Sequence, residues 1–173
     1  GMSRRKFVAS SAVAAAGLTV IPGGIISARG RTAPSDKLNI AGIGIGGVGH
    51  TNIDKMNSEN IVALCDVDWN YSRDTFKDYP NAKKYTDYRK MFEEMGDEID
   101  AVVVATPDHT HAITTMAAMS LGKHVYVQKP LTHTVYESRM LRLKAEEYGV
   151  VTQMGNQGNS GDGVRIISEW LWD

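Results

Sequence analysis

Runs of apolar residues alternate along this chain with longer segments in which apolar and polar positions recur at helical spacing. The runs lie at residues 38–43, 61–65, 101–105, 124–128 and 150–154, with a shorter one near 82–85. They have strand length and are largely apolar throughout, the pattern of parallel strands covered on both faces. Helices are expected between them. Asp87 is placed to cap one over 88–95 with Gly96 at its end; others over 109–121 and 135–148 end at Gly122 and Gly149. Glycine just past the last helical residue suits a left-handed C-cap. The alternation predicts an α/β fold, a doubly wound parallel sheet of Rossmann type. The final stretch, 164–173, has helical spacing and two tryptophans but no cap or polar tail, so the chain reads as cut short.

The first strand run breaks into glycines that match G-x-G-x-x-G in two overlapping registers, starting at Gly42 or at Gly44. The second register is favoured, because Gly42 falls within the strand and a helix must open near His50. Gly44 then makes the tight turn, Gly46 lets the backbone approach a pyrophosphate, and Gly49 permits close helix–strand packing. Ile45, Gly47 and Val48 supply the remaining backbone of the loop. About twenty residues on, the second strand run ends in Asp66, suited to accept hydrogen bonds from the adenosine ribose. Its charge would repel a 2′-phosphate and no arginine follows to offset it, so NAD is expected over NADP. The bland alternatives are a structural glycine turn and a strand-ending aspartate.

Thr106-Pro107-Asp108-His109-Thr110-His111 follows another strand run, at the edge where open α/β sheets bind ligands. Histidines two apart cannot share a helix face, and no third ligand is evident, so no metal is expected. Asp108 is also suited to cap the next helix. The loop is read as the nicotinamide end of the pocket, with Thr106, Pro107, His109 and His111 as candidate cofactor residues. Gln128-Lys129-Pro130 ends the following strand at the same edge. A lysine there can hydrogen-bond a substrate hydroxyl or take its proton; taken alone it would be an ordinary surface lysine.

The N-terminus stands apart. Gly1 before Met2 reads as a scar of tag removal, and Arg4-Arg5 precede a modestly apolar, Ala/Gly-rich stretch at 9–26. This resembles a twin-arginine export signal, with periplasmic delivery expected; a basic start to a cytoplasmic protein is the alternative. Pro22 and two glycines interrupt the stretch, so no stable membrane span is expected. Residues 1–34 are read as signal and linker, 35–156 as the nucleotide-binding domain and 157–173 as the start of a truncated region. The formal net charge of −1 points to neither nucleic acid nor a membrane surface. The one cysteine, Cys65, lies in an apolar run; it excludes an internal disulfide and reads as a buried structural thiol.

The runs at 100–111 (DAVVVATPDHTH) and 122–131 (GKHVYVQKPL) resemble the glucose–fructose oxidoreductase, inositol dehydrogenase and rhizopine-catabolism (Gfo/Idh/MocA) family, over about Leu38 to Asn156. The resemblance implies a Rossmann domain followed by an open-faced α+β substrate domain, which is absent from this chain. It implies hydride transfer between NAD(P) and a carbinol of a sugar or cyclitol. The family's E-K-P lysine, which positions and deprotonates substrate, falls on Lys129. Its T-P-x-x-x-H loop falls on Thr106, Pro107 and His111, and its G-F-N-like segment on Gly155 and Asn156. Gln128 stands where the family has glutamate, which removes a charge beside Lys129. Gln128, Lys129 and Asn156 complete the candidate cofactor set. The full-length protein is expected to form a homo-oligomer. Two rival readings remain: a redox-neutral NAD-using glycosidase or epimerase, and a non-enzymatic NAD-binding protein.

Overall fold

The computed structural model describes residues 36–172. Arg4, Arg5 and the 9–26 stretch lie outside the described residues. The chain divides into two units, Gly1–Lys37 and Leu38–Asp173, and the elements below belong to the second.

Six strands, β1 (Asn39–Ile43), β2 (Asn60–Cys65), β3 (Lys83–Tyr85), β4 (Ala101–Val104), β5 (His124–Gln128) and β6 (Thr152–Gly155), form one sheet in the order β3-β2-β1-β4-β5-β6. Every pairing is parallel. The order reverses between β1 and β4, which opens a crevice beyond their carboxyl ends. Helices α1 (Val48–Asp54), α2 (Arg73–Asp78), α3 (Tyr88–Met95), α4 (His111–Ser120), α5 (Val135–Tyr148) and α6 (Asp162–Trp172) connect or follow the strands.

Side chains alternate between two cores. Ala41, Ile43, Val102 and Val104 face α3 and α4 through Met91, Phe92, Met95 and Met119. Ile40 and Val103 face the other side with Ile53 of α1 and Phe76 of α2. The alternation breaks once: Ile40 pairs with Ile61 but Ala41 with Ala63, so Val62 is an extra residue of β2. Val62 and Ala63 accordingly touch the same core, whereas Ile61 packs on the opposite one.

Most expected elements form close to their expected bounds, with several corrections. Asp87 does cap α3, accepting from the Arg89 N–H, but Gly96 keeps right-handed helical angles and begins a 3₁₀ turn (Gly96–Glu98). Gly122 and Gly149 do adopt positive φ, 71° and 65°. Asp108 caps nothing: it lies inside a 3₁₀ turn (Asp108–Thr110), and α4 starts only at His111. The first helix opens at Val48, two residues before His50, and the last strand is Thr152–Gly155 where 150–154 was expected. α5 carries an unanticipated capping box, in which Thr134 and Glu137 satisfy each other's backbone N–H groups. α2 gave no period in the sequence and was not expected; it is six residues long.

Candidate functional site

β1 ends at Ile43 and the chain turns through four residues into α1. The turn is made at Gly44, with φ of 74°, a conformation that strains any residue bearing a Cβ. The Gly44 N–H donates to the Cys65 carbonyl at 2.9 Å, tying the turn to the end of β2. A Cβ on Gly44 would come 2.7 Å from the Thr106 nitrogen, and one on Gly49 only 1.9 Å from the Gly44 oxygen. Gly44 and Gly49 thus interlock turn, helix and the loop after β4 through backbone alone. Gly42, first in the other register, lies inside β1.

Asp66 is partly buried just past β2, and its carboxylate is already in use. Oδ2 accepts the N–H groups of Ile45 (2.8 Å) and Gly46 (3.2 Å), while Oδ1 accepts the Asp68 N–H at 2.9 Å. Two lone pairs per oxygen leave Oδ1 one further acceptor position, enough for one ribose hydroxyl. Sequence spacing predicted the ribose role but not this bracing of the glycine turn.

Across the crevice, the loop after β4 and the end of β5 meet at His111. This ring is 1% exposed. Its Nδ1 lies 2.6 Å from the Pro130 carbonyl and its Nε2 lies 2.7 Å from the Thr106 carbonyl. Both ring nitrogens therefore face protein, and His111 bridges the Thr106 loop to the Lys129–Pro130 segment. Gln128 is buried; its Nε2 donates to Asn52 Oδ1 of α1 at 3.2 Å and its Oε1 accepts the Lys129 N–H at 3.1 Å. Among the described residues, the Asn52 amide nitrogen is left without a partner, as is the buried Thr106 hydroxyl oxygen. Lys129 is exposed and forms no salt bridge among the described residues.

These parts border one cavity of about 680 Å³. Gly44, Gly46, Val48 and Asp66 line it, as do Thr106, Pro107, His111, Gln128 and Lys129. Ile45, Gly47, Gly49, His109 and Asn156 are outside the lining. The Ile45 side chain is in the core, and His109 and Asn156 are exposed. Tyr71 and Asp68 also line the cavity without having been singled out, since they sit in a polar loop with no period or motif to mark them. Cys65 is buried at the cavity floor. Burial first, then the nearby charges of Asp66 and Asp87, push its thiol up to about 12, so it stays protonated and unreactive.

The residues present fit a nicotinamide dinucleotide. The turn presents its backbone to the cavity at Gly46, where a Cβ would fill the approach. Beside the turn, the buried Thr106 hydroxyl oxygen has no partner among the described residues.

Comparisons with known proteins agree. A family model described as "Oxidoreductase family, NAD-binding Rossmann fold" matches residues 38–156. The scyllo-inositol 2-dehydrogenase (NAD(+)) of Bacillus subtilis is 39% identical over 66 residues, covering 38% of this chain and 19% of that protein. A glycosyl hydrolase family 109 protein of Shewanella pealeana is 28% identical over 160 residues, 79% of this chain and 35% of its own length. GenD2 from gentamicin A biosynthesis, solved in complex with NAD, superposes with a TM-score of 0.63 at 27% identity, covering 69% of this chain and 34% of that one. The chain thus spans little more than a third of these proteins at most. With glycine turn, acidic strand end and matched residues in agreement, the chain belongs to the Gfo/Idh/MocA oxidoreductase family, and residues 38–156 are its NAD-binding Rossmann domain.

Proposed function

We propose that this chain is the cofactor-binding part of an oxidoreductase that moves a hydride between NAD and a carbinol carbon of a sugar or cyclitol. The observation that carries the reading is that the glycine turn, Asp66 and Lys129 line one cavity at the carboxyl edge of the sheet. β1 and β5 are separated by β4 alone, so at about 4.8 Å per strand their ends stand roughly 10 Å apart. That separation suits a cofactor held by its pyrophosphate at one end and reacting at the other.

When bound, the nicotinamide supplies the hydride acceptor or donor. The protein's own work is binding and proton handling. The N–H groups of Gly44, Ile45 and Gly46 are already donated within the protein. Those of Gly47 and Val48, where the turn enters α1, therefore hold the dinucleotide's phosphates, and Asp66 holds the ribose. Lys129 Nζ takes the hydroxyl proton of the carbinol, or returns it, and His111 keeps the two loops that carry Thr106 and Lys129 together.

The Asp66 carboxylate favours NAD over NADP by repelling a 2′-phosphate. Calorimetry should find NAD bound more tightly than NADP, and Asp66→Ala should weaken NAD by tenfold or more. NADP should change less, because the variant loses the brace on the turn but also loses the repulsion. NADP preferred by the unmodified chain would overturn the assignment.

The family 109 relative favours a second reading, a redox-neutral cycle in which bound cofactor is reduced and reoxidised in place. Net NADH formation separates the two. Export by the twin-arginine route is proposed from Arg4 and Arg5, and fits such a cycle, since a cofactor carried outside the cytoplasm must be held and regenerated. Arg4→Lys with Arg5→Lys should strand the protein in the cytoplasm; periplasmic delivery of that variant would remove the proposal.

A further inference from the structure

We infer that the Tyr71 ring is a displaceable cover on the dinucleotide seat, which has to turn aside from Gly46 before a pyrophosphate reaches the turn. The inference rests on the NAD reading above.

Gly46 is not among the glycines with positive φ, so its backbone would accept a side chain. Space would not. A Cβ there would lie 2.2 Å from Tyr71 Cδ1, and one on Gly47 would lie 2.3 Å from the Tyr71 hydroxyl oxygen. The middle glycine of G-x-G-x-x-G is small so that the pyrophosphate can approach the backbone. In this structure the tyrosine ring fills the direction that this glycine leaves open. Ring and pyrophosphate compete for one place.

The ring is built to leave. Its backbone is fixed: Asp68 Oδ1 accepts the Tyr71 N–H at 3.0 Å, and the Asp68 carbonyl accepts both the N–H (3.0 Å) and the hydroxyl (2.7 Å) of Ser72. Its side chain is held by little. It is 69% exposed, and its hydroxyl forms no hydrogen bond among the described residues. Moving it is a rotation between staggered χ1 wells that gives up some dispersion contact and no polar bond. A covered seat lowers apparent affinity by the fraction of molecules in which it is open, so removing the cover raises that affinity.

The test is NAD binding by this chain as unmodified protein, Tyr71→Phe and Tyr71→Ala, using calorimetry, stopped-flow association and the ring-current shift of the Gly46 NMR signals. Tyr71→Ala should tighten NAD and speed its association by about two- to tenfold. Tyr71→Phe should match the unmodified chain, because the cover is the ring. With NAD bound, the Gly46 signals of the unmodified chain should coincide with those of NAD-bound Tyr71→Ala. Weaker binding in Tyr71→Ala, or Gly46 signals that keep their ring-current shift with NAD bound, would show that the ring is a ligand contact and overturn the inference. Equal affinity and rate in both chains would overturn it too, with the cofactor reading intact. If neither chain binds NAD, the cofactor reading fails and the cover falls with it.

Discussion

Full-length protein carrying Lys129→Met should bind NAD as the unmodified protein does and turn substrate over about 10²–10⁴-fold more slowly, the range for a lost general acid–base group. The expectation comes from where the lysine stands. Its backbone N–H is held by Gln128 Oε1, and Gln128 is anchored in turn to Asn52, so the segment does not depend on the charged end of the side chain for its shape. Methionine keeps most of the stem and removes only the ammonium. Lys129 also follows directly on β5, with β4 between it and the glycine turn that is proposed to take the pyrophosphate. Cofactor titration and steady-state kinetics on one preparation decide the matter. Near-normal turnover would remove Lys129 from the chemistry and reopen the non-enzymatic reading.

Gly49→Ala should abolish NAD binding and lower stability by several kcal/mol. The new methyl would sit 1.9 Å from the Gly44 oxygen, and backbone cannot rotate out of the way as a side chain can. Nor can Gly44 retreat, since its N–H is tied to Cys65 and its free side is closed by Thr106. Overpacking in a tight core costs about 1–3 kcal/mol where side chains can adjust, and more is expected where none can. Against a total of about 5–15 kcal/mol for a domain, that is a large loss. Gly122→Ala is the comparison: φ is 71° there, but nothing lies within 4 Å, so only the cost of the left-handed conformation, about 1–2 kcal/mol, should appear. Denaturant midpoints at unchanged slope measure both. A Gly49→Ala midpoint equal to that of the unmodified chain would contradict the interlock.

The strands and the longer helices were legible in the sequence because apolar runs and capping residues are local signals. Asp87 before α3 and Gly149 after α5 could be read without knowing what lay opposite. What escaped was set by tertiary contact. α2 has six residues, too few to show a period, and Gly96 has the right residue type at a place where the chain continues into a 3₁₀ turn. In the site, the glycine turn, Asp66 and Lys129 could be named from spacing and resemblance. The engagement of both His111 nitrogens could not, because its partners are backbone carbonyls 5 and 19 residues away. Tyr71 was equally hidden: its neighbour is a glycine, and a missing side chain leaves no mark of what fills its place.

The extra residue in β2 sets the phase of the whole motif. With a regular ladder from Ile40 and Ile61 onward, Leu64 would stand opposite Ile43; the slip at Val62 puts Cys65 there instead. The carboxylate that follows is thereby drawn level with the glycine turn, within reach of the Ile45 and Gly46 N–H groups. The count of residues between first glycine and acid is then no constant of the nucleotide-binding design but the sum of a loop length and a strand-pairing defect. A homologous chain with an unbroken ladder at this point should carry its acid one position nearer the glycines in sequence, and deleting Val62 alone should give a regular ladder with Cys65 still opposite Ile43 and Asp66 still bracing the turn.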